Sequence, residues 1–255
     1  MNLYDAIFVR KSSRDYVMEE IEPRIIDNLK NFMKHVSLID EQFNVSFKIL
    51  KNFKEKNELP FKTNVKAPYY LVIASEEKEN HLINVGYVME QISLYLTTKG
   101  IGSCILGISK EKRNRIGEME YQAASIMAFG AAKGNIYRES KKARRISEDH
   151  LCSFKSDIPN SVKTIIRAAR LAPSSMNSQP WRFVVYDNRI HVFIRKDFIS
   201  NRLLRNTRDI DIGVMLSHIM FACEELWIDI ALKKQENIAE KEFKKNEYIT
   251  SVLIK

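Results

Sequence analysis

Apolar residues recur every three to four positions in several segments of the chain, and this spacing predicts helices. A short amphipathic helix is predicted within residues 1–16, and a second long helix is predicted to begin at residues 210–214. Residues 162–171 form one such segment, with Ser161 at a position suited to an N-cap and Pro173 placed to end the helix. Residues 21–37 form another. Residues 81–98 are apolar on so many faces that we expect a buried, central helix.

Aromatic and β-branched residues indicate where the strands lie. Residues 43–50 alternate between apolar and polar side chains, which predicts a half-buried strand. Residues 68–75 and 123–130 are apolar throughout and predict buried strands. Residues 181–186 and 248–254 predict two more. The chain should therefore contain both helices and β-sheet.

A polar segment between a predicted helix and a predicted strand has the composition of a binding site. Residues 171–183 read L-A-P-S-S-M-N-S-Q-P-W-R-F. Such a turn offers backbone N–H groups, serine hydroxyls and the side-chain amides of Asn177 and Gln179, which together can hydrogen-bond the edge of a planar heterocycle. The same residue types are also common in ordinary loops.

The composition narrows the class of protein. With 255 residues, of which 45% are hydrophobic, the chain can bury a substantial core. It has neither an apolar run of about 18 residues nor the apolar core of a signal peptide, so we expect a cytoplasmic protein without a membrane partner. Its three separated cysteines lack C-x-x-C spacing and indicate neither disulfides nor a metal site.

The net charge of +9 is compatible with a nucleic-acid partner, but 41 basic residues are scattered among 32 acidic ones, so we expect none. The N-terminal run R-K-S-S-R at residues 10–14 can converge on a phosphate, although short basic runs usually face solvent. Arg205 and Arg208 are weaker candidates for contact with an anionic substrate, and a surface role suits them better. The glycine-rich run at residues 100–107 fits neither the dinucleotide-binding fingerprint nor the P-loop.

The order of residues in the polar turn resembles the flavin-binding motif of the nitroreductase family, A-P-S-x-x-N-x-Q-P-W-x-F, at every fixed position. This resemblance implies FMN as the cofactor, with the turn contacting its isoalloxazine ring. The ring-side residues carried over from the motif are Pro173, Ser174, Ser175, Asn177 and Gln179.

Three other segments are similar to motifs of the same family. The family carries R-R-S-x-R near its N-terminus, which implies that Arg10, Lys11, Ser12 and Arg14 hold the ribityl phosphate. Residues 100–107 read G-I-G-S-C-I-L-G, and a similar run in the family leads to a loop whose main chain lies over the flavin. This resemblance implies that Leu106 and Gly107 lie near the flavin ring. Lys142 and Arg144 resemble the K-x-R of a second phosphate contact, although Ile146 stands where the family usually has proline.

The resemblance implies an α+β fold of nitroreductase type, in which mostly antiparallel sheets are flanked by helices. We also predict an internal duplication, because the order helix, strand, strand, long helix, strand occurs twice. Residues 1–150 would carry the phosphate ligands and residues 151–255 the ring ligands, packed as a single unit. The chain resembles single-chain nitroreductases with tandem halves, which implies a monomer that acts as a pseudo-dimer.

The resemblance also implies the reaction. NADH or NADPH would pass hydride to FMN, and a small electron-poor acceptor such as a nitroaromatic or quinone would then be reduced. The chemistry would reside in the flavin, so no catalytic side chain is expected. The alternatives are a flavin enzyme with another substrate, such as a dehalogenase, and a flavin-binding protein with a regulatory or storage role.

Overall fold

The computed structural model describes residues 1–53, 57–195, 205–236, 238 and 245–255, with the side chains of 205 and 206 excepted. The chain divides into two compact units, Met1–Lys142 and Ala143–Lys255. Both units combine helices with a largely antiparallel sheet, so the fold class is α+β, as predicted.

The first unit contains a sheet in the order β1-β2-β4-β3, in which all neighbouring strands are antiparallel. Its elements are α1 (Leu3–Val9), α2 (Pro23–Met33), β1 (Val45–Lys51), β2 (Tyr69–Ser75), α3 (His81–Thr98), β3 (Gly102–Leu106), α4 (Lys110–Arg115) and β4 (Gln122–Gly130). A short 3-10 helix at Ser140–Lys142 ends the unit.

The strand β2 is the centre of this sheet, and every one of its residues is buried. Tyr70 and Val72 pack in one cluster with Ile126 and Ala128, their partners in β4. Successive side chains of a strand point to opposite faces, so the odd-numbered residues of β2 are buried on the other face. The helix α3 contacts β2, β3 and β4 and is itself buried along most of its length.

The second unit contains a sheet in the order β5-β6-β7-β9-β8, in which β5 pairs parallel to β6 and the other pairs are antiparallel. Its elements are α5 (Glu148–Leu151), β5 (Cys152–Phe154), α6 (Asn160–Arg170), β6 (Trp181–Val185), β7 (Arg189–Arg195), α7 (Arg205–Glu225), β8 (Ile230–Lys233) and β9 (Asn246–Ile254). The helices α6 and α7 pack against each other.

The two sheets have a common strand order. When β5 is set aside, the order β6-β7-β9-β8 of the second unit matches β1-β2-β4-β3 of the first. The longest helix of each unit, α3 or α7, also follows its second strand in the chain. The internal duplication and the pseudo-dimer both remain predictions.

The structure confirms the long helix at His81–Thr98 and each of the predicted strands, with ends that shift by one or two residues. Two predictions about helix ends are wrong. The helix predicted at residues 21–37 is α2, which spans Pro23–Met33 and ends four residues early. Ser161 lies within α6, and the N-cap position belongs to Pro159, which offers no side-chain hydrogen bond. The strands β3, β5, β7 and β8 have no bounds in the sequence-based prediction, because each is short or interrupted by polar residues.

Candidate functional site

The basic N-terminal segment is an extended stretch that the first unit holds in place. The N–H of Ser13 donates to the carbonyl oxygen of Ser103 in β3 at 2.9 Å, and the N–H of Val17 donates to that of Ala131 at 2.8 Å. The hydroxyl of Tyr16 donates to the carbonyl of Ser13 at 2.6 Å. Hydrogen bonds to Ser103 in β3 and to Ala131 after β4 therefore hold the residues between α1 and Val17 in place.

Arg10 points into the protein. Its side chain is 3% exposed, and its Nε lies 3.5 Å from Oε1 of Glu90, a fully buried residue of α3. Its Nη2 donates to the hydroxyl of Ser12 at 3.3 Å. Arg10 is thus engaged in a buried ion pair, a role that the sequence did not reveal. The ion pair with Glu90 and the hydrogen bond to Ser12 both occupy its guanidinium inside the protein.

The other candidate phosphate ligands of the segment differ from Arg10 in burial. Arg14 is exposed, and Lys11 and Ser12 are partly exposed. The structure therefore separates the predicted set into one inward-facing arginine and a group that solvent, or a ligand, can reach.

Two glycines of the glycine-rich run differ in what surrounds them. A Cβ added at Gly102 would lie 2.6 Å from Oγ of Ser13 and 2.9 Å from Cβ of Ala132, so this glycine lets the basic segment approach β3. A Cβ added at Gly107 would meet no atom within 4 Å. Gly107 is exposed, and Leu106 beside it packs against the core cluster. No protein contact among the described residues requires glycine at position 107.

The predicted second phosphate contact is surface-exposed. The Nζ of Lys142 lies 2.7 Å from Oε1 of Glu139, so part of its charge is compensated. Arg144 is exposed, and its carbonyl oxygen accepts a hydrogen bond from Nδ2 of Asn177 at 3.1 Å. Both residues are accessible to an anion.

The absence of proline at position 146 has a structural reason. The N–H of Ile146 donates to Oε1 of Gln179 at 2.8 Å, and Gln179 is 4% exposed. Proline has no N–H and could not satisfy this buried amide oxygen. The nearby Arg145 donates to the carbonyl of Leu171 at 2.9 Å and to Oδ1 of Asn177 at 3.0 Å.

The polar turn is a short 3-10 helix, Ser175–Asn177, between α6 and β6. Met176, Asn177 and Gln179 have φ angles of 51°, 55° and 46°, in the left-handed region that non-glycine residues seldom adopt. Met176 is also 80% exposed. Strained backbone of this kind persists only where the surrounding structure holds it, and it concentrates at functional sites.

The side-chain amides of the turn are engaged within the protein. Asn177 bonds the main chain of Arg144 and the side chain of Arg145, and Nε2 of Gln179 donates to the carbonyl of Asn177 at 3.2 Å. The N–H of Gln179 donates to Oγ of Ser174 at 2.9 Å. Asn177 and Gln179 therefore shape the turn, and Ser174 retains a hydroxyl proton that it can donate.

Asp211 on α7 is a residue of this site that sequence reasoning missed. Its Oδ1 accepts hydrogen bonds from the N–H of Ser175 at 2.9 Å and from the Ser175 hydroxyl at 3.2 Å. Burial raises the pKa of Asp211 to about 7, although the hydrogen bonds from Ser175 favour the ionised carboxylate. The I-D-I-G-V sequence at residues 210–214 was the available signal.

The weaker candidates near α7 have different outcomes. Arg208 lies inside the helix and is 8% exposed, so the surface role predicted for it is wrong. The side chain of Arg205 lies outside the described residues.

Within the part of the chain that the structure describes, no group of three or more potential metal ligands occurs. No described helix is long and apolar enough to cross a membrane.

Comparison with known proteins identifies relatives over most of the chain. A family model described as "Putative TM nitroreductase" matches residues 2–223. A structure described as a "putative nitroreductase" from Thermotoga maritima is 20% identical, covers 100% of this chain and 93% of its own, and has a TM-score of 0.67. This likeness shows that the fold is nitroreductase-like.

Two shorter proteins align with part of the chain. A nitroreductase family protein from Clostridium difficile is 16% identical, with 60% of this chain and 98% of that chain covered, and has a TM-score of 0.50. A nitroreductase with bound FMN from Desulfitobacterium hafniense is 17% identical and has a TM-score of 0.43. The alignment covers 58% of this chain and 100% of that chain. No curated protein matches the chain.

Proposed function

Since the chain belongs to the TM nitroreductase family, we propose that it is an FMN-dependent oxidoreductase that transfers electrons from NADH or NADPH to a small electron-poor acceptor. A nitroaromatic or a quinone is the class of acceptor that we expect. Family membership supports an oxidoreductase, and the residues of the two motif segments support FMN.

The observation that carries the proposal is the preformed polar turn. Three non-glycine residues of the turn have left-handed conformations, and hydrogen bonds within the protein hold two of them, Asn177 and Gln179, in place. A turn so constrained needs little reorganisation when a planar ring docks on it. The exposed side chain of Met176 and the hydroxyl of Ser174 are then available to the ring or to the substrate above it.

The phosphate of FMN requires accessible cations, and the chain offers several. Arg14 and Arg144 are exposed, and Lys11 is partly exposed. Arg10 would act mainly by holding Ser12, since its own guanidinium pairs with Glu90. These residues fit a phosphate dianion, because arginine can bind one through two parallel hydrogen bonds.

Gly107 fits the ring of the same cofactor. Nothing in the described protein occupies the space of a Cβ at this position, so that space is open to a bound ring. Glycine allows the closest approach of a main chain to a flat ring.

FMN, when bound, would supply the hydride and electron transfer. The protein would position the ring through the turn and neutralise the phosphate with its accessible cations. No second nucleotide-binding motif occurs in the sequence, so donor and acceptor would use one open face in succession.

We further propose one FMN per chain. The first unit carries the R-x-S-x-R motif and the second the polar turn, and neither motif occurs in the other unit. The two units would thus correspond to the two subunits of a duplicated dimer that has kept one of its two sites, and the chain would act as a monomer.

Spectroscopy of the purified protein tests the proposal. We expect bound FMN at one equivalent per chain, bleached under anaerobic conditions by NADH or NADPH and reoxidised by a quinone or nitroaromatic. Protein that binds no added FMN would refute the proposal. Flavin that dithionite reduces but neither nicotinamide reduces would favour the regulatory or storage alternative.

A matched pair of variants tests the phosphate side. Arg14→Ala should weaken FMN binding about 10- to 150-fold, because a charge-assisted hydrogen bond contributes roughly 1.5 to 3 kcal/mol. Arg24→Ala removes an equally exposed arginine from α2 and should leave the affinity unchanged. Equal affinities for the two variants would remove Arg14 from the site.

Steady-state kinetics test whether the electron donor and the acceptor use the same face of the flavin in turn. Double-reciprocal plots at several acceptor concentrations should be parallel, as expected when donor and acceptor bind in turn. Intersecting lines would mean that both substrates are bound together.

A further inference from the structure

We propose that Asp211 is a positioning residue that anchors the polar turn to α7 and holds it in the conformation that receives the ring. The proposal rests on the proposed function for the identity of that ring. The anchor itself rests on contacts within the second unit.

Asp211 makes two hydrogen bonds to one residue of the turn. The N–H and the hydroxyl of Ser175 both donate to Oδ1, at 2.9 and 3.2 Å. Ser175 directly precedes Met176, where the left-handed backbone begins. These two hydrogen bonds tie the start of the strained segment to the long helix α7, and a helix positions a site more precisely than a loop does.

The second carboxylate oxygen of Asp211 makes the anchor unusual. Asp211 is 4% exposed, and Oδ2 has no hydrogen-bond partner among the described residues. An unpaired carboxylate oxygen without water is costly, so burial favours the protonated acid. Because Oδ1 already accepts two hydrogen bonds, the proton belongs on Oδ2.

Charged side chains near the anchor are engaged elsewhere. Arg145, beside the turn, and Arg170 on α6 donate to main-chain carbonyl oxygens. Arg167 on α6 pairs with Glu148 at 3.9 Å, and Arg208 lies one turn earlier on α7 with contacts of its own. Burial, and not a neighbouring charge, is the largest cause of the raised pKa.

The sign of the pH dependence follows from linkage. When the turn opens, Asp211 gains water and its pKa falls towards its ordinary value of 3.8. The closed turn therefore binds a proton more tightly than the open turn, so closure is favoured at low pH and weakens as pH rises towards 7. Above that pH the carboxyl is ionised in both states, and the dependence should level off.

Hydrogen exchange of the flavin-free protein tests the anchor directly. We expect the protection factor of the Ser175 amide to fall at least tenfold between pH 5 and 7 and then to level, while amides in β6 show no such step. Asp211→Asn keeps an oxygen acceptor and cannot ionise, so it should retain the protection and abolish the step. Asp187→Asn, the same substitution on an exposed residue of this unit, should behave as wild type.

The outcomes separate the anchor from the proposed function. Asp211→Leu should lower protection of the turn at least tenfold and weaken FMN binding. A protection factor of the wild-type Ser175 amide that does not change with pH would overturn the proposal, and so would a step that persists in Asp211→Asn. The wild-type measurement alone can refute the proposal, so the test does not depend on any variant being folded. Failure of wild-type protein to bind FMN would instead refute the proposed function and leave the exchange result standing.

Discussion

Replacing Arg10 with alanine removes one member of a buried ion pair from the first unit. Its Nε lies 3.5 Å from Glu90, and the two side chains are 3% and 0% exposed. At an effective dielectric constant of about 20, charges at this separation attract by roughly 5 kcal/mol. In the wild type much of this attraction offsets the cost of taking both groups out of water. In the variant the cost for Glu90 remains, so we expect the free energy of unfolding to fall by about 3 to 5 kcal/mol.

Urea unfolding of the flavin-free protein, followed by far-ultraviolet circular dichroism, measures this loss. The transition that includes the first unit should move to lower urea, and its thermal midpoint should fall by roughly 6 to 20 °C, since each kcal/mol shifts a chain of this size by about 2 to 4 °C. Arg14→Ala is the matched control, because it removes an exposed arginine from the same segment and should change stability by less than about 0.5 kcal/mol.

A double replacement separates the ion pair from packing. Arg10→Met combined with Glu90→Leu removes both buried charges and should recover most of the stability lost in Arg10→Ala. The reasoning fails if the free energies of unfolding of Arg10→Ala and Arg14→Ala differ by less than about 1 kcal/mol, because the ion pair would then contribute little to stability. FMN binding by Arg10→Ala should be measured at a temperature and urea concentration at which the variant is folded. Only then would weaker binding report on the site and not on unfolding.

Three further predictions concern other parts of the chain. Gly102→Ala should destabilise the flavin-free protein by about 1 to 3 kcal/mol, since its Cβ would lie 2.6 Å from a serine oxygen, whereas Gly107→Ala should leave that stability unchanged and weaken FMN binding in a titration. Burial raises the pKa of Cys152 and Cys223 to about 12, so neither thiol should react with a disulfide reagent at pH 8 until urea unfolds the protein. The raised pKa of Asp211 should lower the free energy of unfolding by about 2 to 3 kcal/mol between pH 5 and 7, and the urea midpoint of Asp211→Asn should lack this decline.

The buried helix and the apolar strands could be read from the chain because their patterns are local. The long helix at His81–Thr98 has too many apolar positions for a surface helix, and β2 is apolar without interruption. Local patterns failed where tertiary contacts decide the outcome. Ser161 has the side chain of an N-cap, yet α6 begins at Asn160, one residue before it.

The candidate site divides in the same way. The sequence predicted which residues would bind a flavin, because the residue types and their order in the turn and in the N-terminal run are visible without a structure. It did not determine how the protein uses them. Glu90 is 80 residues from Arg10, and Asp211 is 36 residues from Ser175. Only packing brings such groups together, and burial of a charge or a carboxyl is a property of the folded chain that no local pattern encodes.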